Sequence, residues 1–99
     1  SVLKSIHMNV PGAYQSIPSI PELISMSATL STENNLVGRS ISDAENKIDC
    51  RIVMIERINE EGFVEVKIPS QVENLEMSDK IYIFLEKSDI KKVERSLEN

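Results

Sequence analysis

IPSQVENLEMSDKIYIFLEKSD, residues 68–89, decides the fold. It opens where an alternating segment stops at Pro69, a residue that cannot donate to a sheet ladder. It crosses a polar loop and an acidic turn at Asp79, then enters IYIFL, residues 81–85, the most apolar run of the chain. Two strands separated by a polar loop are the expected reading. Ser88 is placed to cap a closing helix, and Asp89 favours its first turn through the helix dipole. Ile90, Val93 and Leu97 then recur on one helical face.

Working towards the amino terminus, residues 64–68 alternate Val64, Val66 and Ile68 with Glu65 and Lys67, a one-sided strand. Asn59, Glu60, Glu61 and Gly62 form a hairpin turn before it. RIVMIERI, residues 51–58, contains four consecutive apolar residues, which predict a central strand covered on both faces. Ser42 followed by Glu45 fits a capping box and predicts a short helix over 41–47. Asn34, Asn35 and Gly38 supply turn chemistry ahead of it. Ile24, Met26, Ala28 and Leu30 alternate with Ser25, Ser27, Thr29 and Ser31, giving a strand with one apolar and one hydroxyl face. Pro11, Gly12, Pro18 and Pro21 mark residues 1–22 as a linker or arm, with a short helical turn expected over 2–8. The expected fold class is α+β: a small mixed β-sheet with two helices, in the order β-α-β-β-β-α.

The chain of 99 residues suits one domain, with 1–22 outside it and 23–99 inside. Apolar residues make up 40%, and Tyr14, Phe63, Tyr82 and Phe84 are the four aromatics, so the core must be aliphatic. A net charge of −5 and a pI near 4.8 argue against a nucleic-acid backbone partner. Cys50 is the single cysteine, lies in an apolar run and reads as a small buried hydrophobe. No stretch approaches the roughly 18 apolar residues of a membrane span, and no charged-then-apolar leader is visible, so a cytoplasmic setting is expected.

Chemistry is sparse. His7 is the only histidine and lacks a partner at a recognisable spacing; one Cys and one His cannot close a zinc site. No glycine-rich phosphate loop occurs. Glu56, Glu60, Glu61 and Glu65 offer oxygens to a hard cation, but a charge run at a hairpin is ordinarily a solvated tip. The chain is therefore not expected to be an enzyme. An enzyme would require Asp43, Glu45, Asp49 and Arg51 in one pocket with a carboxylate of raised pKa.

NNLVGRSISD, residues 34–43, CRIVMIER, residues 50–57, and VKIPSQVENLEMSDKIYIFLEKSDIKKVERSLEN, residues 66–99, resemble in order and spacing the C-terminal domain of TrkA-type proteins, the RCK C-terminal domain (regulator of potassium conductance). The resemblance spans residues 23–97. It covers a leucine-x-glycine-basic turn into the first helix, a central strand ending in a basic residue such as Arg57, a strand ending in proline, and an acidic turn into an apolar strand. Where the family usually has glycine-aspartate before the last strand, this chain has Ser78-Asp79. A positive φ there would be harder to meet at serine.

The resemblance implies a ligand-sensing, dimer-forming regulatory domain of a potassium or cation channel or transporter, coupling ligand binding to gating. Its partners would be a second copy and a membrane channel or transporter subunit, from which it would sit peripheral to the inner face of the membrane. No cofactor is expected in this chain, since the nucleotide-binding Rossmann half of such proteins lies outside it. Some members bind cyclic di-AMP in the cleft between paired domains. The corresponding positions here are Ala44, Glu45, Lys47, Cys50, Arg51 and Ile52, with Ile68 and Pro69 opposite. Binding members place a basic residue and an asparagine where this chain has Glu45 and Arg51. Glu45 would repel a phosphate and Arg51 could grip one. The same fold also serves as a dimerisation module without its own ligand in other hosts, such as an anion transporter or a transcription regulator.

Overall fold

The computed structural model describes residues 3–9 and 22–98. Five strands and two helices follow one another: β1 (Leu3–Asn9), β2 (Leu23–Leu30), α1 (Ile41–Ile48), β3 (Arg51–Ile58), β4 (Val64–Lys67), β5 (Lys80–Glu86) and α2 (Ile90–Leu97). From β2 onward this is the expected β-α-β-β-β-α order in an α+β domain. Two details differ. Residues expected to form a helical turn instead form β1, which pairs along β2. The sheet, ordered β1-β2-β5-β3-β4, is antiparallel at every pairing and not mixed. The reason is the connections: no helix carries the chain from one strand to a parallel neighbour, which a parallel pair requires. The proline-rich residues 10–21 of the expected arm lie outside the described residues.

The alternation in β2 is realised as two faces. Ile24, Met26, Ala28 and Leu30 are buried, and they meet Leu85, Ile83 and Ile81 of β5 across the ladder. Ala44 and Ile48 of α1 and Val93 and Leu97 of α2 close over them, with Leu36, Val72 and Leu75 from the loops. Each fully buried aliphatic side chain contributes about 1.5–3 kcal/mol. Both helices lie on this one side, so the sheet has a covered face and an open face.

β3 is central in position, between β5 and β4, but it is covered on one side only. Its ladder with β5 slips between Ile52 and Met54: Ile52 sits opposite Ile83, Met54 opposite Tyr82. Val53 is thus an extra, bulged residue. The bulge returns both Ile52 and Ile55 to the covered face, at 3% and 0% exposure, although they are three apart. Four apolar residues in a row reflect a bulge and not two buried faces.

The helix starts also depart from expectation. Ser40, not Ser42, caps α1, its Oγ accepting the Asp43 N–H at 3.1 Å. The expected Ser42–Glu45 capping box does not form, because Ser42 lies inside the helix and the third helical position after the Ser40 cap is Asp43. α1 ends at Asp49 in the left-handed region, φ 57°, with its N–H donating to the Glu45 carbonyl. Ser88 lies within a 3-10 turn, Lys87–Asp89, and α2 begins without a side-chain cap.

Candidate functional site

Ser42, Glu45, Asn46 and Asp49 fall at helical spacings of three and four, so α1 presents them on one side. The left-handed turn at Asp49 brings Cys50 and Arg51 back beside them. These six residues line an open recess of about 510 Å³. Glu45 dominates its floor. Its Oε2 accepts the Ile52 N–H at 2.9 Å, and its Oε1 lies 4.0 Å from Arg51 Nη1. The Glu45 side chain is 19% exposed and that of Arg51 is 88% exposed, so the guanidinium is presented to solvent. Asp49 pairs with Lys92 of α2 at 2.7 Å, and this hydrogen bond and charge hold its carboxyl below the ordinary range. A general acid working near neutral pH requires the opposite shift.

Burial, followed by the nearby Asp49, Glu45 and Asp89 charges, pushes the Cys50 thiol up to about 11. Protonated thiol is then the resting form, and thiolate is the nucleophile. Alkylation of Cys50 by iodoacetamide at pH 7.5 is expected to run roughly 100-fold slower than for an ordinary free cysteine. The folded pKa lies above the unfolded value of 9.0. Its contribution to stability is therefore complete below pH 9 and is lost as pH rises towards 11. Melting temperatures of the parent and Cys50→Ala across that window check this; the parent should lose more.

Of the positions the resemblance points to, Glu45, Cys50 and Arg51 meet in the recess. Ala44 and Ile52 do not: both are core residues, at 0% and 3% exposure. Lys47 is half-buried and does not line the recess, nor do Ile68 and Pro69. Ile68 is 55% exposed, and Pro69 opens a 3-10 turn, Pro69–Gln71, packed against β3. Ile68 and Pro69 are thus not brought to the Glu45, Cys50 and Arg51 group within the chain. Asp49, expected beside Glu45 and Arg51 only in an enzyme pocket, lines the recess while Asp43 does not, and Ser42 and Asn46 line it without having been expected there. The helical spacing from Glu45 was the signal that reveals them.

A second polar cluster sits at the opposite end of β3. Arg57 donates from Nε and Nη2 to the two oxygens of Asp79 at 2.9 and 2.8 Å. Asp79 is 1% exposed and also accepts the Glu76 N–H at 2.8 Å. Arg57 Nη1 approaches Glu76 at 3.2 Å, and Nη2 donates to the Asn74 carbonyl at 3.0 Å. The hydrogen bonds that Arg57 donates to Asp79 raise its pKa further. Ser78 beside it has φ 72°, the left-handed conformation in which glycine is at home. Its N–H donates to the Leu30 carbonyl, and the Leu30 N–H to the Asp79 carbonyl, which clamps the acidic turn to the end of β2. The cluster is fully bonded internally and reads as architecture.

The open face grades from polar to apolar. At β2 this side carries Ser25 and Thr29, both half-buried, and Ser27, which is buried at 5% exposure; at β5, Tyr82 donates to Glu56 at 2.6 Å while Lys80 lies over its ring. At β3 and β4 it carries Ile58, Val64 and Val66, each 60% exposed, followed by Ile68. Glu60 and Glu61 are exposed at the hairpin, Glu65 is engaged by Asn59 and Lys67, and Glu56 by Tyr82. Among the described residues no group of three His, Cys, Asp or Glu could hold a metal ion, and no helix is long and apolar enough to cross a membrane. Comparison of the chain with family models, with curated proteins and with solved structures finds no match.

Proposed function

We propose that this chain is a non-catalytic regulatory domain of the TrkA-C type that works as a pair of copies in a potassium or cation transport system. The observation that carries the reading is the sheet with both helices on one face and an exposed apolar band on the other. Ile58, Val64, Val66 and Phe84, at 51–60% exposure, leave apolar surface at and beside the β4 edge, part of which pairing would shield from water. The recess on α1 supplies the place for a small anionic ligand, of which cyclic di-AMP is one, with Arg51 as the exposed cation. A ligand that contacts both copies shifts their relative orientation only by its difference in affinity for the two arrangements. The host would be a membrane channel or transporter subunit, holding the domain at the inner face.

One observation favours the ligand-free alternative, a dimerisation module of the same fold. Glu45 already fills the Ile52 N–H and faces Arg51, the two donors that a phosphate would use. Sedimentation equilibrium at high micromolar concentration tests the pair, and a monomer would overturn it. A thermal-shift screen of cyclic and linear nucleotides and divalent ions tests the sensor, since a ligand bound only by the folded state raises the melting temperature. A rise with a nucleotide that disappears in Arg51→Ala supports the sensor; no shift with any compound, in a protein that does dimerise, supports the ligand-free module.

A further inference from the structure

Among the described residues β4 is the last strand of the sheet, with β3 on one side and no strand on the other. Its free edge has a definite pattern. The Asn59 N–H donates to the Phe63 carbonyl at 2.8 Å, so hydrogen-bonded pairs fall at Asn59–Phe63, Arg57–Glu65 and Ile55–Lys67. By the same alternation, the N–H and C=O of Val64 and Val66 point outward, away from β3. The Ile68 N–H is already taken by Gln71 Oε1 at 3.0 Å, which ends the usable edge after Val66.

We infer that this edge pairs with the same edge of a second copy, antiparallel and centred on Val66. The inference rests on the proposed dimer and adds its surface and register. A two-fold pairing of Val64–Lys67 has few registers. Centring on Glu65 sets Glu65 against its own copy, and centring on Lys67 sets lysine against lysine; like charges directly opposite are unfavourable. Centring on Val64 sets Glu65 against Phe63 and Val66 against Gly62, which forms no ion pair and leaves the second valine against the hairpin turn. Centring on Val66 puts Val66 against Val66 as a hydrogen-bonded pair and sets each Glu65 opposite the other copy's Lys67. Those two ion pairs occupy non-hydrogen-bonded positions, where the Cα atoms approach to about 4.5 Å and side chains lie nearest. The same register brings the two apolar bands of Ile58, Val64 and Val66 side by side on the open face. A short, charged edge is also a common defence against sheet extension. Such a defence does not call for exposed valines whose flanking charges are complementary to themselves.

The test uses charge reversal in the intact chain. Glu65→Lys leaves lysine at both charged positions of β4, and Lys67→Glu leaves glutamate at both. Each variant alone should dimerise at least about 10-fold more weakly than the parent, because each of its two cross-copy pairs is now repulsive. Mixed together, they should form a heterodimer, in which both pairs are attractive again. The contact between Glu65 and Lys67 within one chain, 3.5 Å, is lost in both variants and cannot account for recovery on mixing. Circular dichroism and melting curves confirm that each variant is folded. Parent-like homodimers of the single variants, or folded variants that stay monomeric when mixed, overturn the edge assignment. A parent that is itself monomeric removes the dimer reading as well.

Discussion

Asp79→Ala is expected to cost about 3–5 kcal/mol and to lower the melting temperature by at least about 12 °C. Asp79 is 1% exposed and accepts three hydrogen bonds, two from Arg57 and one from the Glu76 N–H. Removing it strands a guanidinium whose side chain is 19% exposed, in a site desolvated around a charge partner. Glu76, the remaining partner, is 65% exposed and too well solvated to replace it. For a domain whose total stability is about 5–15 kcal/mol, this loss is a third or more. Removing both charges together should hurt much less, because the main penalty is the unpaired buried ion and not the loss of the pair. A double-mutant cycle with Asp79→Ala and Arg57→Met should therefore show coupling of at least about 2 kcal/mol by urea denaturation. Simple additivity would mean that the two residues act independently, contrary to the bidentate geometry.

That cluster shows how far the amino-acid order could be read. The acidic turn before β5 was visible in the residues 78–80, because aspartate after a polar loop marks a turn. Its buried partner was not, since Arg57 is 22 positions away and only the fold brings it to Asp79. The positive φ at Ser78 was foreseeable as a difficulty, and the structure shows serine holding it, clamped by the backbone bonds to Leu30. A left-handed non-glycine residue costs of the order of 1 kcal/mol, small enough for two flanking hydrogen bonds to offset. Ser40 and Ser42 are equally good caps by type; the bridge between Ser40 and Asn74 selects the first, and that contact is not local. In the recess, Glu45 and Arg51 were legible only as two opposite charges of the implied ligand cleft, one repelling and one gripping a phosphate. That Glu45 turns its carboxylate to the Ile52 N–H depends on the left-handed turn at Asp49, for which the residues 48–51 carry no glycine signal.

Ile55→Ala is expected to cost about 2–5 kcal/mol, and Val53→Ala under about 1 kcal/mol, although the two lie in one unbroken apolar run. The difference follows from the bulge. Ile55 is fully enclosed against Ile81 and the core, so its loss opens a cavity that the surrounding strands cannot collapse to fill. Val53 is 38% exposed and stands outside the paired register, so the atoms removed were already partly in water. A strand with both faces covered would show comparable losses at neighbouring positions, since each side chain would fill a packed volume. Urea denaturation of the two variants separates these cases directly. Equal costs at the two positions would place Val53 inside a second packed layer and remove the open face from which the pairing proposal starts. A large cost at Ile55 with a small one at Val53 would show that the covered face alone holds the domain together, leaving the apolar residues of β3 and β4 on the other face available for a partner.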